Sequence, residues 1–185
     1  MNEVKQEFEK LMTWIDAAIP GVLQRTGEQM REDLRRHIQD DVYDQWNPTR
    51  YLRRADNPSL GTPLIDVDTN VNIEVKGHTL VLDYEPDGYN SAYVAGKDYI
   101  PLNGNALIAT IERGQFGVRE SNADLVYDWQ KVPPRPFFSN FLQEEIDGQQ
   151  AARYFSEAMT LALGALGVEL VGEFNIERDG TEPEF

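Results

Sequence analysis

Three prolines in four positions, Pro133, Pro134 and Pro136, joined directly to Phe137 and Phe138, constrain this chain more than any other stretch of it. Each ring fixes φ, and each biases the residue before it towards extended backbone, so Arg135 and Phe137 are presented at a set spacing on a stiff lead. Downstream the chain is apolar at helical spacing: Phe141, Leu142 and Ile146, then Phe155, Met159, Ala162, Leu163 and Leu166, with a break expected at Asp147-Gly148 and a stop at Gly167. The segment therefore reads as a rigid entry into a C-terminal helix. A Pro-rich loop carrying two core phenylalanines is the plainer alternative.

The N-terminal region has the same helical signature. Val4, Phe8, Leu11, Ile15 and Ile19 recur every three or four residues with charges between them, which predicts an amphipathic helix with Phe8, Leu11 and Ile15 in the core. Pro20-Gly21 is expected to break or kink it. A second stretch through Leu23, Met30, Leu34 and Ile38 should then run to about Asp44, with Gly27 interrupting the stripe. His37, beside that stripe, reads as a packing residue.

Between these helices the period changes to two. Residues 71–75 and 79–84 alternate around Lys76-Gly77-His78, the pattern of a β-hairpin, with His78 solvated at its tip. Residues 168–174 alternate again and are expected to close the sheet, while residues 106–113, preceded by Asn103-Gly104-Asn105, read as a short helix stopped by Gly114. Two stretches have no usable period, 47–67 and 85–103, and read as extended arms. The expected architecture is one α+β domain over 1–176, with an acidic tail at 177–185. It comprises a long N-terminal helix, a small antiparallel sheet with extended loops, and a C-terminal helix packed on the sheet.

Composition excludes several classes. The chain has 185 residues, enough for one sizeable core. Its apolar runs fall short of the ~20 residues that span a bilayer, and Glu3, Glu7, Glu9 and Asp16 interrupt the place where a signal peptide would need an uncharged stretch, so neither membrane insertion nor export is expected. Without cysteine there is neither a disulfide nor a thiolate metal site. The two histidines, His37 and His78, stand in no metal or catalytic motif, and no Gly-Lys-Ser/Thr phosphate loop is present. The Asp40-Asp41 and Asp66/Asp68 pairs lack the spaced oxygen ligands of a calcium loop, and the adjacent Glu144 and Glu145 point apart on a helix. No enzymatic activity, cofactor or metal is expected.

Charge is distributed unevenly. The net charge is −15, of which −8 lies from Glu144 onwards, where ten acids face two arginines; residues 25–54 instead hold seven arginines against six acids. Phosphate-backbone binding needs an excess of Lys and Arg, so DNA binding is not the natural use of this surface. Contact between an arginine-bearing arm and a neighbour's acidic face is one natural use, and an ordinary solvated acidic surface is another. In the arm, Arg50, Tyr51, Arg53 and Arg54 are residue types suited to a subunit contact, and Arg135 joins them as a candidate.

Ile111-Glu112-Arg113-Gly114, then Tyr127-Asp128-Trp129, then Arg135-Pro136-Phe137 before an amphipathic helix form an order that resembles the tail-completion, or head-to-tail joining, proteins of long-tailed double-stranded DNA bacteriophages. Those proteins carry an N-terminal amphipathic helix, a β-meander, an Ile-Glu-x-Gly element and an Arg-Pro-Phe entry into a C-terminal helix. Tyr51-Leu52-Arg53-Arg54 is similar to a Tyr-x-Arg-Arg segment of related proteins in phages of Gram-positive hosts. The resemblance covers roughly residues 8–166; the insertion at 85–103 and the acidic tail depart from it. It implies a structural protein of the virion, made in the host cytoplasm and forming a homo-oligomeric ring in the neck. Its partners would be connector and tail proteins, with DNA only as passing cargo and no membrane. Tail terminators and minor capsid proteins are the neighbouring alternatives, and an acidic nucleic-acid mimic is an alternative of another class. The expected core comprises Phe8, Leu11, Ile15, Phe137, Phe138 and Phe155.

Overall fold

The computed structural model describes residues 2–45, 62–86, 104–113, 134–169, 171–172 and 174–176. The two apolar stripes expected to flank a break at Pro20 are realised as one uninterrupted helix, α1 (Asn2–His37). Pro20 and Gly21 are both exposed, and apolar residues on either side of them, Ile19 and Val22, pack against the same partners. That shared packing outweighs the loss of one backbone hydrogen bond at the proline. The helix then widens into a π-helical turn, Ile38–Tyr43, closed by Asp44 N–H donating to the Gln39 carbonyl at 2.8 Å.

Next come a short helix α2 (Val67–Asn70), the hairpin strands β1 (Val71–Lys76) and β2 (Thr79–Tyr84), α3 (Gly104–Arg113), α4 (Phe137–Leu142), a second π-helical turn Gln143–Asp147, and α5 (Gln150–Gly164). This is an α+β protein, as expected, and it is mostly helical. Gly77 turns the hairpin with φ +59. The break between α4 and α5 falls at Gly148-Gln149. A Cβ on Gly148 would lie 2.5 Å from the Glu144 carbonyl oxygen, so only glycine fits, and Gln149 takes the left-handed conformation, φ 59. The Gln149 side chain accepts from Ile176 N–H at 2.6 Å and donates to the Ile176 carbonyl at 2.9 Å, fastening the chain beyond α5 back onto its start.

The described residues fall into two compact units, one drawn from within 1–32, 72–83 and 142–176 and the other from within 33–71 and 84–141. The first has its core where Ile15, Ala18, Ile19 and Val22 of α1 meet Phe155, Ala158, Met159, Ala162 and Leu163 of α5. Ile15 and Phe155 thus take the core positions expected of them. Gly27, which reads in sequence as an interruption of the α1 stripe, is buried against the hairpin: a Cβ there would stand 2.8 Å from Ile73 Cγ2 and 3.0 Å from Leu80 Cδ1. In the second unit, Leu34, Ile38, Val67, Phe137 and Phe141 are buried.

The structure corrects two further expectations about the core and the sheet. Phe8 is exposed, because α1 runs on for three turns beyond the residues that α5 covers, and Leu11 is half-buried. The described residues of 168–174 form no strand; Gly172, at φ +144, departs from extended geometry, and among the described residues the sheet has two strands only.

Candidate functional site

The second unit brings together the two short elements that are far apart in sequence, the end of α3 and the Arg-Pro-Phe entry into α4. Arg135 N–H donates to the Ile111 carbonyl at 3.1 Å, which satisfies a carbonyl that the last turn of α3 leaves without a helical donor. Beside it the Glu112 carboxylate receives the first amides of α4: Phe138 N–H at 2.7 Å, Ser139 N–H at 3.4 Å and the Ser139 hydroxyl at 2.6 Å. Glu112 therefore acts as the N-terminal cap of a helix that begins 25 residues later. Pro136 immediately precedes α4, where its fixed φ suits the entry and its missing N–H removes one amide that would need a partner.

The phenylalanines have different duties. Phe137 is fully buried; Phe138 is half-buried, stacked on Tyr84 with ring centroids 6.0 Å apart, and 5.9 Å from the ring of Phe141. Tyr84 is buried and donates its hydroxyl to the Leu64 carbonyl at 3.3 Å, while Asn70 donates its amide to the Pro63 carbonyl at 2.8 Å. Burial, and secondarily the nearby Tyr43, pushes the Tyr84 hydroxyl well above its ordinary value of 10.0. Residues 62–67, the end of the stretch expected to be an arm, are in this way tied to the hairpin and α2.

The π-helical turn contributes Asp41, whose carboxylate accepts from Asn140 at 3.0 Å and lies 3.4 Å from His37 Nδ1. His37 is buried with its ring edge-on to Phe141 at 6.2 Å, the packing role expected of it, and His78 is exposed at the hairpin turn, also as expected. Arg35 and Asp68 pair at 2.7 Å on the outside of the unit. Among the described residues no group of three or more His, Asp or Glu is placed to hold a metal, and no helix is long and apolar enough to cross a membrane.

Of the residues expected at a subunit contact, Arg50, Tyr51, Arg53 and Arg54 lie outside the described residues. Arg135 is only 6% exposed, so its place is inside the unit and the expectation of a surface contact is corrected. Pro134 and Pro136 stand exposed on either side of it, and Phe137 N–H donates back to the Arg135 carbonyl at 2.8 Å, a tight turn around Pro136. Neither motif nor periodicity assigns a structural role to Glu112 or Asn140. Glu112 does leave a signal, because a carboxylate in the last turn of a helix sits against the negative end of that helix's dipole and needs a donor from elsewhere.

The described residues thus define a mostly helical α+β protein in which two short motifs dock on one another. The chain belongs to the YomN family, which it matches over residues 3–160; the family name derives from a Bacillus phage and marks the chain as phage-related. No curated protein and no solved structure matches it.

Proposed function

We propose that this chain is a non-enzymatic structural protein of a phage virion, a neck or tail-completion component that forms a ring of its own copies where the head meets the tail, contacting connector and tail proteins. The observation that carries the proposal is the junction itself. Ile-Glu-x-Gly supplies the Ile111 carbonyl and the Glu112 carboxylate, and Arg-Pro-Phe with the two residues after it supplies the amides of Arg135, Phe138 and Ser139, so the elements on which the resemblance to tail-completion proteins rests meet in one joint. Membership of a phage-derived family supports the same reading.

Reversal of Arg53 and Arg54 to Glu in a phage complementation assay tests it. The expected result is soluble protein, filled or leaking heads and unjoined tails. Antibody label should fall at the head-tail junction of normal particles. Label on the capsid shell would make the chain a minor capsid protein, and particles assembled normally without it would refute a virion role.

A further inference from the structure

The first unit leaves one apolar seam half used. On α1, Val4, Phe8, Leu11, Ile15, Ala18 and Val22 recur at alternating intervals of four and three, the repeat along which helices pack on helices. The later half of the seam is covered by α5. The earlier half is open: Val4 is 76% exposed, Phe8 60% and, on its flank, Met12 41%. From Val4 to Met12 the helix rises about 12 Å, so the uncovered part is a real overhang, and its spacing suits a helical occupant.

Charge narrows the choice of occupant. Copies of a chain with net charge −15 repel one another over most of their surface, so contact between them is favoured where charge is sparse. The same unit offers such a place: residues 158–168 contain no charged side chain, and there Leu161 is 59% exposed and Leu166 47%. The α1 overhang is nearly neutral too, with Lys5 and Lys10 set among Glu7 and Glu9, and Lys5 paired to Glu9 at 3.7 Å.

We propose that the first turns of α1, through Val4, Phe8 and Met12, seat on the uncharged end of α5 in a second copy of this chain, against its Leu161 and Leu166. The contact extends between copies a pairing of α1 with α5 that already exists within each copy. Because the two faces differ, each copy gives α1 to one neighbour and receives α1 from another, the head-to-tail arrangement that closes into rings or continues as filaments. The inference rests on the self-association in the proposed function and is independent of where the protein resides. The faces are small, so the association is weak.

Sedimentation velocity of the full chain, from about 10 μM to about 1 mM, covers the range in which contacts of this size dissociate. The wild type should associate with rising concentration, while Phe8→Glu and Leu161→Glu, both at exposed positions, should fold normally by circular dichroism and weaken association at least ~10-fold. Gln6→Glu, which adds the same charge off the seam, should associate like the wild type. The decisive sample is the mixture of Phe8→Glu with Leu161→Glu. Each retains the face the other has lost, so they should form dimers that grow no further. A wild type that stays monomeric throughout, a Leu161→Glu variant that associates normally, a Gln6→Glu variant that does not, or a mixture that fails to pair would each overturn the proposal. Self-association of this kind in a protein absent from virions would remove the proposed function and leave the contact; a virion protein that never self-associates would remove the contact and the proposed ring together and leave only the virion location.

Discussion

Replacing Glu112 by Ala tests the junction by the sign of the effect as well as its size. Glu112 is the penultimate residue of α3, where a carboxylate opposes the helix dipole by about 0.3–1 kcal/mol. If its only role were to sit on that surface, Glu112→Ala would leave stability unchanged or raise it slightly. The structure gives it three contacts with α4, of which the partly buried Phe138 amide at 2.7 Å is the strongest and the exposed Ser139 contacts are weaker. Loss of a capping side chain costs about 1 kcal/mol, and a hydrogen bond to a charged acceptor is worth about 1.5–3 kcal/mol when shielded. With the Ser139 contacts discounted for solvent, the expected loss is about 1.5–2 kcal/mol, a fall in Tm of roughly 3–8 °C for a chain of this size. Urea unfolding followed by far-ultraviolet circular dichroism measures it. Glu112→Gln keeps an acceptor at the same reach and should lose about half as much, whereas Glu112→Asp falls one methylene short and should resemble Ala. An Ala variant as stable as the wild type, or more so, would refute the cap.

Burial sets two other expectations. Phe137→Ala, at a fully buried ring, should cost about 3–5 kcal/mol and leave little folded protein, while Phe138→Ala, half-buried, should cost clearly less; equal losses in thermal melts would contradict the assigned orientations. The native state keeps Tyr84 protonated, whereas the unfolded chain ionises it near its ordinary value of 10.0. Stability from this group is therefore fully present below pH 10 and declines above it by up to ~1.4 kcal/mol per pH unit. Tyr84→Phe should flatten that decline in alkaline melts compared with the wild type, and parallel curves for the two proteins would show that the hydroxyl is not shielded.

Local pattern made the helices and the hairpin legible, because periods of 3.6 and 2 reflect which face each element buries. What periodicity cannot carry is the identity and length of the partner. Phe8 belongs to the same stripe as Ile15, yet one is exposed and the other packed, since α5 reaches only part of α1. Pro20 and Gly27 read as interruptions because their own backbone propensities are poor. Both are tolerated by contacts made with distant segments, Ile19 and Val22 with α5 and Gly27 with the hairpin. The acid at Glu112 was visible in the sequence, but its partner, 26 residues away, was not.

The missing side chain at Gly27 also answers how a helix of 36 residues finds its place on a two-stranded hairpin. A long regular rod offers many nearly equivalent positions, and sliding it by one turn changes little in its backbone. Here the positions are not equivalent. One turn either way would present Leu23 or Met30 to Ile73 and Leu80, whose side chains would have to shift even for a single carbon, so the bare backbone of Gly27 acts as a notch that favours one alignment. How far α1 projects past α5 is set elsewhere along the same rod, where Ile15, Ala18, Ile19 and Val22 meet Phe155, Ala158, Met159 and Leu163, so one helix carries two separate registers.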